Sequence, residues 1–119
     1  MDRHLAGYVL NYYARFMTDK EKLANRHLMG TVKATRGRSD LAAQQEVRNS
    51  SSHFRNLLSD DPEVLELTRD GAEGFLQRTA ERIMAAHSDE IQVNRCSRCG
   101  EVAKTPKARQ CRFCLFDWH

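Results

Sequence analysis

Apolar positions in the first 91 residues recur with a helical period. Leu5, Tyr8, Val9, Tyr12 and Phe16 follow one another at steps of three, one, three and four, one face of a helix predicted from Asp2 to Met17. Thr18-Asp19-Lys20-Glu21 has the form of a capping box, and a second helix is predicted to start there and to stop before Gly37. Ser39 is a candidate cap for a third helix with the stripe Ala43, Val47, Phe54 and Leu58. The run Ser50-Ser51-Ser52 can split it, because serine hydroxyls compete for backbone hydrogen bonds. Asp61-Pro62 opens a last helix, with Leu65, Thr68, Ala72, Phe75, Leu76, Thr79 and Ile83 on one face and an end near His87. Such segments with short connections predict a mainly α fold, a small helical bundle. Tyr8, Tyr12, Tyr13 and Phe16 are read as its aromatic core, the competing reading being a base-stacking or ligand surface.

Composition divides the chain. With 119 residues, 40% hydrophobic and 29% charged, it is globular and of single-domain size. All four cysteines lie beyond residue 91, where the net charge also changes from −1 to +4. Two regions are therefore expected, a helical bundle over residues 1–91 and a separate metal-binding segment over 92–119. No apolar run approaches the roughly 20 residues of a membrane span, and Met1-Asp2-Arg3 lacks a signal-peptide pattern, so a cytoplasmic protein with no membrane partner is expected.

Cys96-Ser-Arg-Cys99-Gly100 and Cys111-Arg-Phe-Cys114 place two Cys-x-x-Cys pairs in one short segment. Four soft thiolates suit a tetrahedral zinc ion, each pair forming a tight turn that presents both sulfurs to it. Gly100 permits the positive φ that such a turn needs, whereas Leu115 stands at the equivalent place after the second pair. Two disulfides, rubredoxin-type iron and a redox pair are the other uses of such cysteines. The segment from Cys96 to His119 resembles the zinc-ribbon family. That resemblance implies one structural Zn²⁺ on Cys96, Cys99, Cys111 and Cys114, and a short β-hairpin with Val102-Ala103 outgoing, Thr105-Pro106-Lys107 turning and Ala108 to Gln110 returning. Phe113, Phe116 and Trp118 would cover the knuckles. His119 is a further donor able to displace one cysteine, though a free histidine is the simpler expectation.

Catalytic patterns are missing from the sequence. His4, His27, His53, His87 and His119 are dispersed without recognised spacing, no glycine loop for phosphate occurs, and four cysteines leave zinc no open position for water. His27 is expected to be buried and hydrogen-bonded. The reading is a non-enzymatic, zinc-stabilised binding protein. Lys22, Arg26, Lys33 and Arg36 share one helical face, extended by Arg38, and Glu63, Glu66, Asp70, Glu73 and Glu81 form an acidic band on the last helix. These surfaces favour a protein partner, of inhibitor, immunity or regulatory type. The alternative is nucleic acid, bound through Arg98, Lys104, Lys107, Arg109 and Arg112 with the basic stripe, although zinc with four thiolates contributes −2 to that segment.

Overall fold

The computed structural model describes residues 1–118, so the expectation for His119 lies outside the described residues. Helix α1 spans Arg3–Tyr12, and the Asp2 carboxylate caps it by accepting from the His4 amide at 3.2 Å. It is shorter than the apolar pattern predicts. The chain leaves helical geometry at Tyr13, whose ring reaches the backbone of Gln92, and Ala14–Phe16 form a 3₁₀ turn. Helix α2, Asp19–Thr35, begins with the predicted capping box: Thr18 Oγ1 accepts from the Glu21 amide at 3.1 Å and Glu21 Oε1 from the Thr18 amide at 2.8 Å. It ends on a left-handed Arg36 (φ 59°), followed by Gly37 at φ 114°.

Helix α3, Leu41–Arg48, is capped by Asp40, which accepts from the Ala43 amide at 2.7 Å, and not by Ser39. The Ser39 hydroxyl instead accepts from the amide of Ala72, 33 residues away, at 2.9 Å. The serine run does break the third segment. Ser50 Oγ donates to the Val47 carbonyl at 2.7 Å, and Ser52 Oγ accepts from the Phe54 amide, opening a 3₁₀ turn over His53–Leu57. This turn lies on α2 at Gly30, where an added Cβ would stand 2.8 Å from Leu57 Cβ, so only glycine admits the approach.

The single last helix that the stripe predicts is two helices, α4 (Pro62–Leu67) and α5 (Gly71–Ala86). Asp61 caps α4 as expected, accepting from the Glu63 amide at 2.9 Å. The break comes at Thr68, whose buried carbonyl accepts a hydrogen bond from Gln44 Nε2 at 2.9 Å, and at Gly71, which opens α5 at a φ of 78° through which α4 cannot continue. Leu65, expected in the apolar face, is 38% exposed.

The backbone forms two compact units, with the boundary inside α5. One comprises Met17–Thr79, where α2 is the pillar against which α3, α4 and the His53–Leu57 turn pack. Its core holds Ala24, Leu28, Ala43, Val47, Val64 and Phe75, and a single buried Leu such as Leu28 contributes about 1.5 to 3 kcal/mol. Polar groups in that core are fully connected. The Ser59 amide donates to His27 Nδ1 at 2.9 Å, which leaves the proton on Nε2 to donate to Gln44 Oε1 at 2.9 Å. Gln44 Nε2 then donates to the carbonyls of Ser39 and Thr68. His27 is thus the buried, hydrogen-bonded histidine expected, and burial holds its pKa below the ordinary 6.5.

The other unit comprises Met1–Phe16 and the chain from Ala80 onward. Ala6, Val9, Ala80, Ile83, Ile91, Val102 and Ala103 are its buried apolar residues. Tyr8 joins them at 4% exposure, but Tyr12 is 38% exposed, so the aromatic stripe is only in part a core. The expected β-hairpin is not formed: among the described residues there is no strand, only the isolated antiparallel bridges Arg95 to Val102 and Gln110 to Asp117. Each bridge closes one Cys-x-x-Cys turn upon itself. Val102 and Ala103 therefore pair with Arg95 and Asn94, and Arg109 and Gln110 with Trp118 and Asp117, rather than with each other, while the Ala108 amide donates to the Thr105 carbonyl.

The His27 network makes stability depend on pH. The unfolded chain takes a proton on this imidazole below about pH 6.5 while the folded chain resists it, so stability present above that pH is lost as the pH falls below it. Urea titrations from pH 7.5 to 5.5 should show the wild type losing up to about 1.4 kcal/mol per pH unit more than His27→Gln. Parallel profiles would show that this imidazole does not set the slope.

Candidate metal centre

The two knuckles are structural copies fifteen residues apart. In the first, the Cys96 amide donates to the Glu101 carbonyl, Gly100 to Cys96 and Ala103 to Asn94; in the second, Cys111 donates to Phe116, Leu115 to Cys111 and Trp118 to Arg109. All six bonds measure 2.8 to 3.0 Å. The same turn requires the same left-handed residue, and Leu115 adopts φ 64° where Gly100 has φ 78°. Leucine has a Cβ and is disfavoured there by about 1 to 2 kcal/mol, a strain the closed knuckle sustains.

The turns gather four sulfurs within 4.8 Å of one another, positioned to bind a metal ion. Across the cluster, Cys96 Sγ stands 3.6 Å from Cys114 Sγ and Cys99 Sγ 3.5 Å from Cys111 Sγ. A tetrahedron with metal to sulfur bonds of about 2.3 Å has edges near 3.8 Å, so the donor set fits zinc in size as well as in softness. Cys96 and Cys111 are buried, Cys99 and Cys114 exposed. Cys96 Sγ accepts from the amides of Arg98 and Cys99 at 3.4 Å, and Cys111 Sγ from those of Phe113 and Cys114 at 3.3 and 3.4 Å.

Those amides prepare negative charge on the inner sulfurs. The Cys114 amide, against the cost of burial, draws the Cys111 thiol down to about 6, and at Cys96 burial is outweighed by the Cys99 and Arg98 amides, so that thiol also lies below its ordinary value. Cys99 moves the other way. The Glu101 amide favours its thiolate, but lost hydration and the neighbouring sulfurs of Cys111, Cys96 and Cys114 push it up to about 12. A cation among them would remove that opposition, and acid would restore it, so a metal bound here would be held above and released below the range in which these thiols ionise.

The supports of the centre carry no sequence motif. Tyr8 and Tyr13 of α1 and its exit both donate to the Gln92 carbonyl, at 3.0 and 3.2 Å, and accept in turn from the amides of Asn94 and Gln92. Burial raises the pKa of Tyr8, which keeps its hydroxyl protonated for this contact. Asn94 Nδ2 then donates to the carbonyls of Thr105 and Ala108 at 3.0 and 2.9 Å, holding the loop between the knuckles. His4 packs edge-on against Phe113, with ring centres 5.1 Å apart, and accepts from Arg112.

The basic residues read from sequence are not equivalent. Lys22, Arg26, Lys33 and Arg36 are exposed on α2 and its cap and take part in no ion pair among the described residues. Arg38 is committed to Glu46, with both carboxylate oxygens within 3.1 Å, and to Asp40. In the cysteine segment Arg112 engages His4 and the face of Phe113, and Arg98 lies 5.9 Å from the ring centre of Phe116. Lys104, Lys107 and Arg109 are exposed, and Lys107 borders an open cleft of about 300 Å³ with Tyr12, Thr105 and Pro106. Phe113, expected as a cover for the sulfurs, is 46% exposed, while Phe116 and Trp118 are half-buried.

The strained knuckle supplies a test. Leu115→Gly should stabilise the metal-loaded protein by about 1 kcal/mol, since Leu115 is 67% exposed and loses little packing. Gly100→Ala, with open space around the new methyl, should cost a similar amount through φ alone. Thermal melts that place both variants on the same side of wild type would show the turns to be unlike. In comparisons with protein families, curated proteins and solved structures, nothing matches this chain.

Proposed function

We propose that this chain is a non-enzymatic binding protein, built around one structural zinc ion on Cys96, Cys99, Cys111 and Cys114, whose partner is another protein. The observation that carries the reading is the closed set of four sulfurs within 4.8 Å of one another. Zinc bound there would have all four positions filled by protein and none left for water or substrate, so its chemistry is cross-linking rather than activation. A segment this short buries too little apolar surface to order itself, and structural zinc contributes about 10 to 16 kcal/mol in comparable peptides. The ion would therefore add to the small apolar core of its unit, to which the segment contributes Val102 and Ala103.

A protein partner is favoured by the distribution of charge. The cluster with zinc is itself anionic, and Arg98 and Arg112 are occupied by neighbouring rings, which leaves Lys104, Lys107 and Arg109 as a small phosphate footprint. Those three residues on one loop are what supports the second reading, binding of nucleic acid.

Elemental analysis of purified, untagged protein should find one zinc per chain, falling below a tenth of that in a Cys96→Ser, Cys111→Ser double variant. Affinity capture from nuclease-treated lysate should retain a protein that is lost when chelator is added. Absence of stoichiometric zinc would remove the structural reading. Capture abolished by nuclease, together with affinity for mixed-sequence DNA or RNA that falls steeply with salt, would establish the nucleic-acid reading instead.

A further inference from the structure

Half of the ten Lys and Arg residues in the unit Met17–Thr79 are paired with carboxylates; of the rest, Arg55 donates to the Ser50 carbonyl at 3.2 Å and four lie along α2 and its cap. Lys20 pairs with Asp61, Arg38 with Glu46, Arg48 with Asp60, Arg69 with Glu66 and Arg78 with Asp70. The last two pairings also engage two of the five residues of the acidic band, Glu66 and Asp70. Lys22, Arg26, Lys33 and Arg36 have no such counterion among the described residues and are all exposed. At about 100° per residue Arg26 and Lys33 lie about 40 and 20° from Lys22, and Met29 lies at about −20°, inside the same arc, while Arg36 follows as the left-handed cap. Met29 is 45% exposed. The face therefore runs about 17 Å, from Lys22 to Lys33, with a flexible thioether between its cations.

We propose that this face of α2 is the docking surface for an acidic amphipathic helix of a partner protein. This rests on the protein-partner reading above and names the surface and the partner's chemistry. Three unpaired cations on one helical face match carboxylates repeated at helical spacing, and Met29 matches an apolar residue between them. A phosphate backbone supplies acceptors for the cations but gives the thioether little to pack against. The fixed scaffold behind the face favours docking without rearrangement, because α2 is held from behind by α3, α4 and the buried His27 network.

The test uses the zinc-loaded full chain and a fluorescent peptide of about 20 residues with Leu and Glu in helical order, long enough to cover the face. A scrambled peptide of the same composition and mixed-sequence DNA and RNA are the comparison probes. The amphipathic peptide should bind more tightly than the scrambled one, and a Lys22→Glu, Arg26→Glu, Lys33→Glu variant with unchanged circular dichroism should bind it at least about tenfold more weakly. Met29→Ala should cost the amphipathic peptide about threefold and leave the scrambled one unaffected. Equal binding of both peptides, no binding of either, or tighter binding of nucleic acid that the charge reversal abolishes would each overturn the proposal. Peptide binding lost instead in Lys104→Glu, Lys107→Glu, Arg109→Glu would overturn this surface while leaving a protein-binding function in place.

Discussion

Four sulfur atoms held within 4.8 Å cannot all carry charge unless a cation lies among them. That constraint organises the unit formed by the chain's two ends. The amides of the knuckles draw Cys111 and Cys96 toward ionisation, while the crowding of sulfurs sets Cys99 against it. A divalent ion at this place would resolve the conflict and tie the two knuckles together. The left-handed Leu115 is a measure of how strongly the turn is imposed, since the sequence offers no glycine there.

The unit around α2 is stabilised by different means. Its core is apolar apart from one connected polar network, in which a backbone amide from Ser59 selects the tautomer of His27 and Gln44 spans three segments with a single side chain. Each donor and acceptor in that network has a partner, so the cost of burying polar groups is met and the network specifies one arrangement of α2, α3 and the break after α4. Ser39 does the same at shorter range, tying the loop before α3 to the start of α5. With the interior satisfied and half of its cations paired, the largest group of unpaired cations in this unit lies along α2 and its cap.

The local signals in the sequence were strong wherever the physics was local. Thr18 to Glu21, Asp61-Pro62, the serine run and the two Cys-x-x-Cys pairs each act within one turn of chain, and each does in the structure what its residue types require. Periodicity misled where a break preserved the apolar phase. The stripe from Leu65 to Ile83 continues through Thr68 to Gly71, and nothing in the pattern tells one helix from two, because the cause is a hydrogen bond from Gln44 and a positive φ at Gly71.

By itself, then, the order of residues determined that the chain is mainly helical and that four cysteines share one site, since helix period, caps and thiol spacing are properties of neighbours. Tertiary structure alone decided which charges are spent and which remain, pairing Arg38 with Glu46 at the surface while leaving Lys33 without a counterion. It also decided that each knuckle closes on itself rather than forming a hairpin, and that Tyr8 and Tyr13 hold the segment entering the first knuckle through Gln92 and Asn94. Those contacts join residues about 80 positions apart. Such pairings arise only when packing brings distant backbone groups within about 3 Å, and no period or motif along the chain encodes that distance.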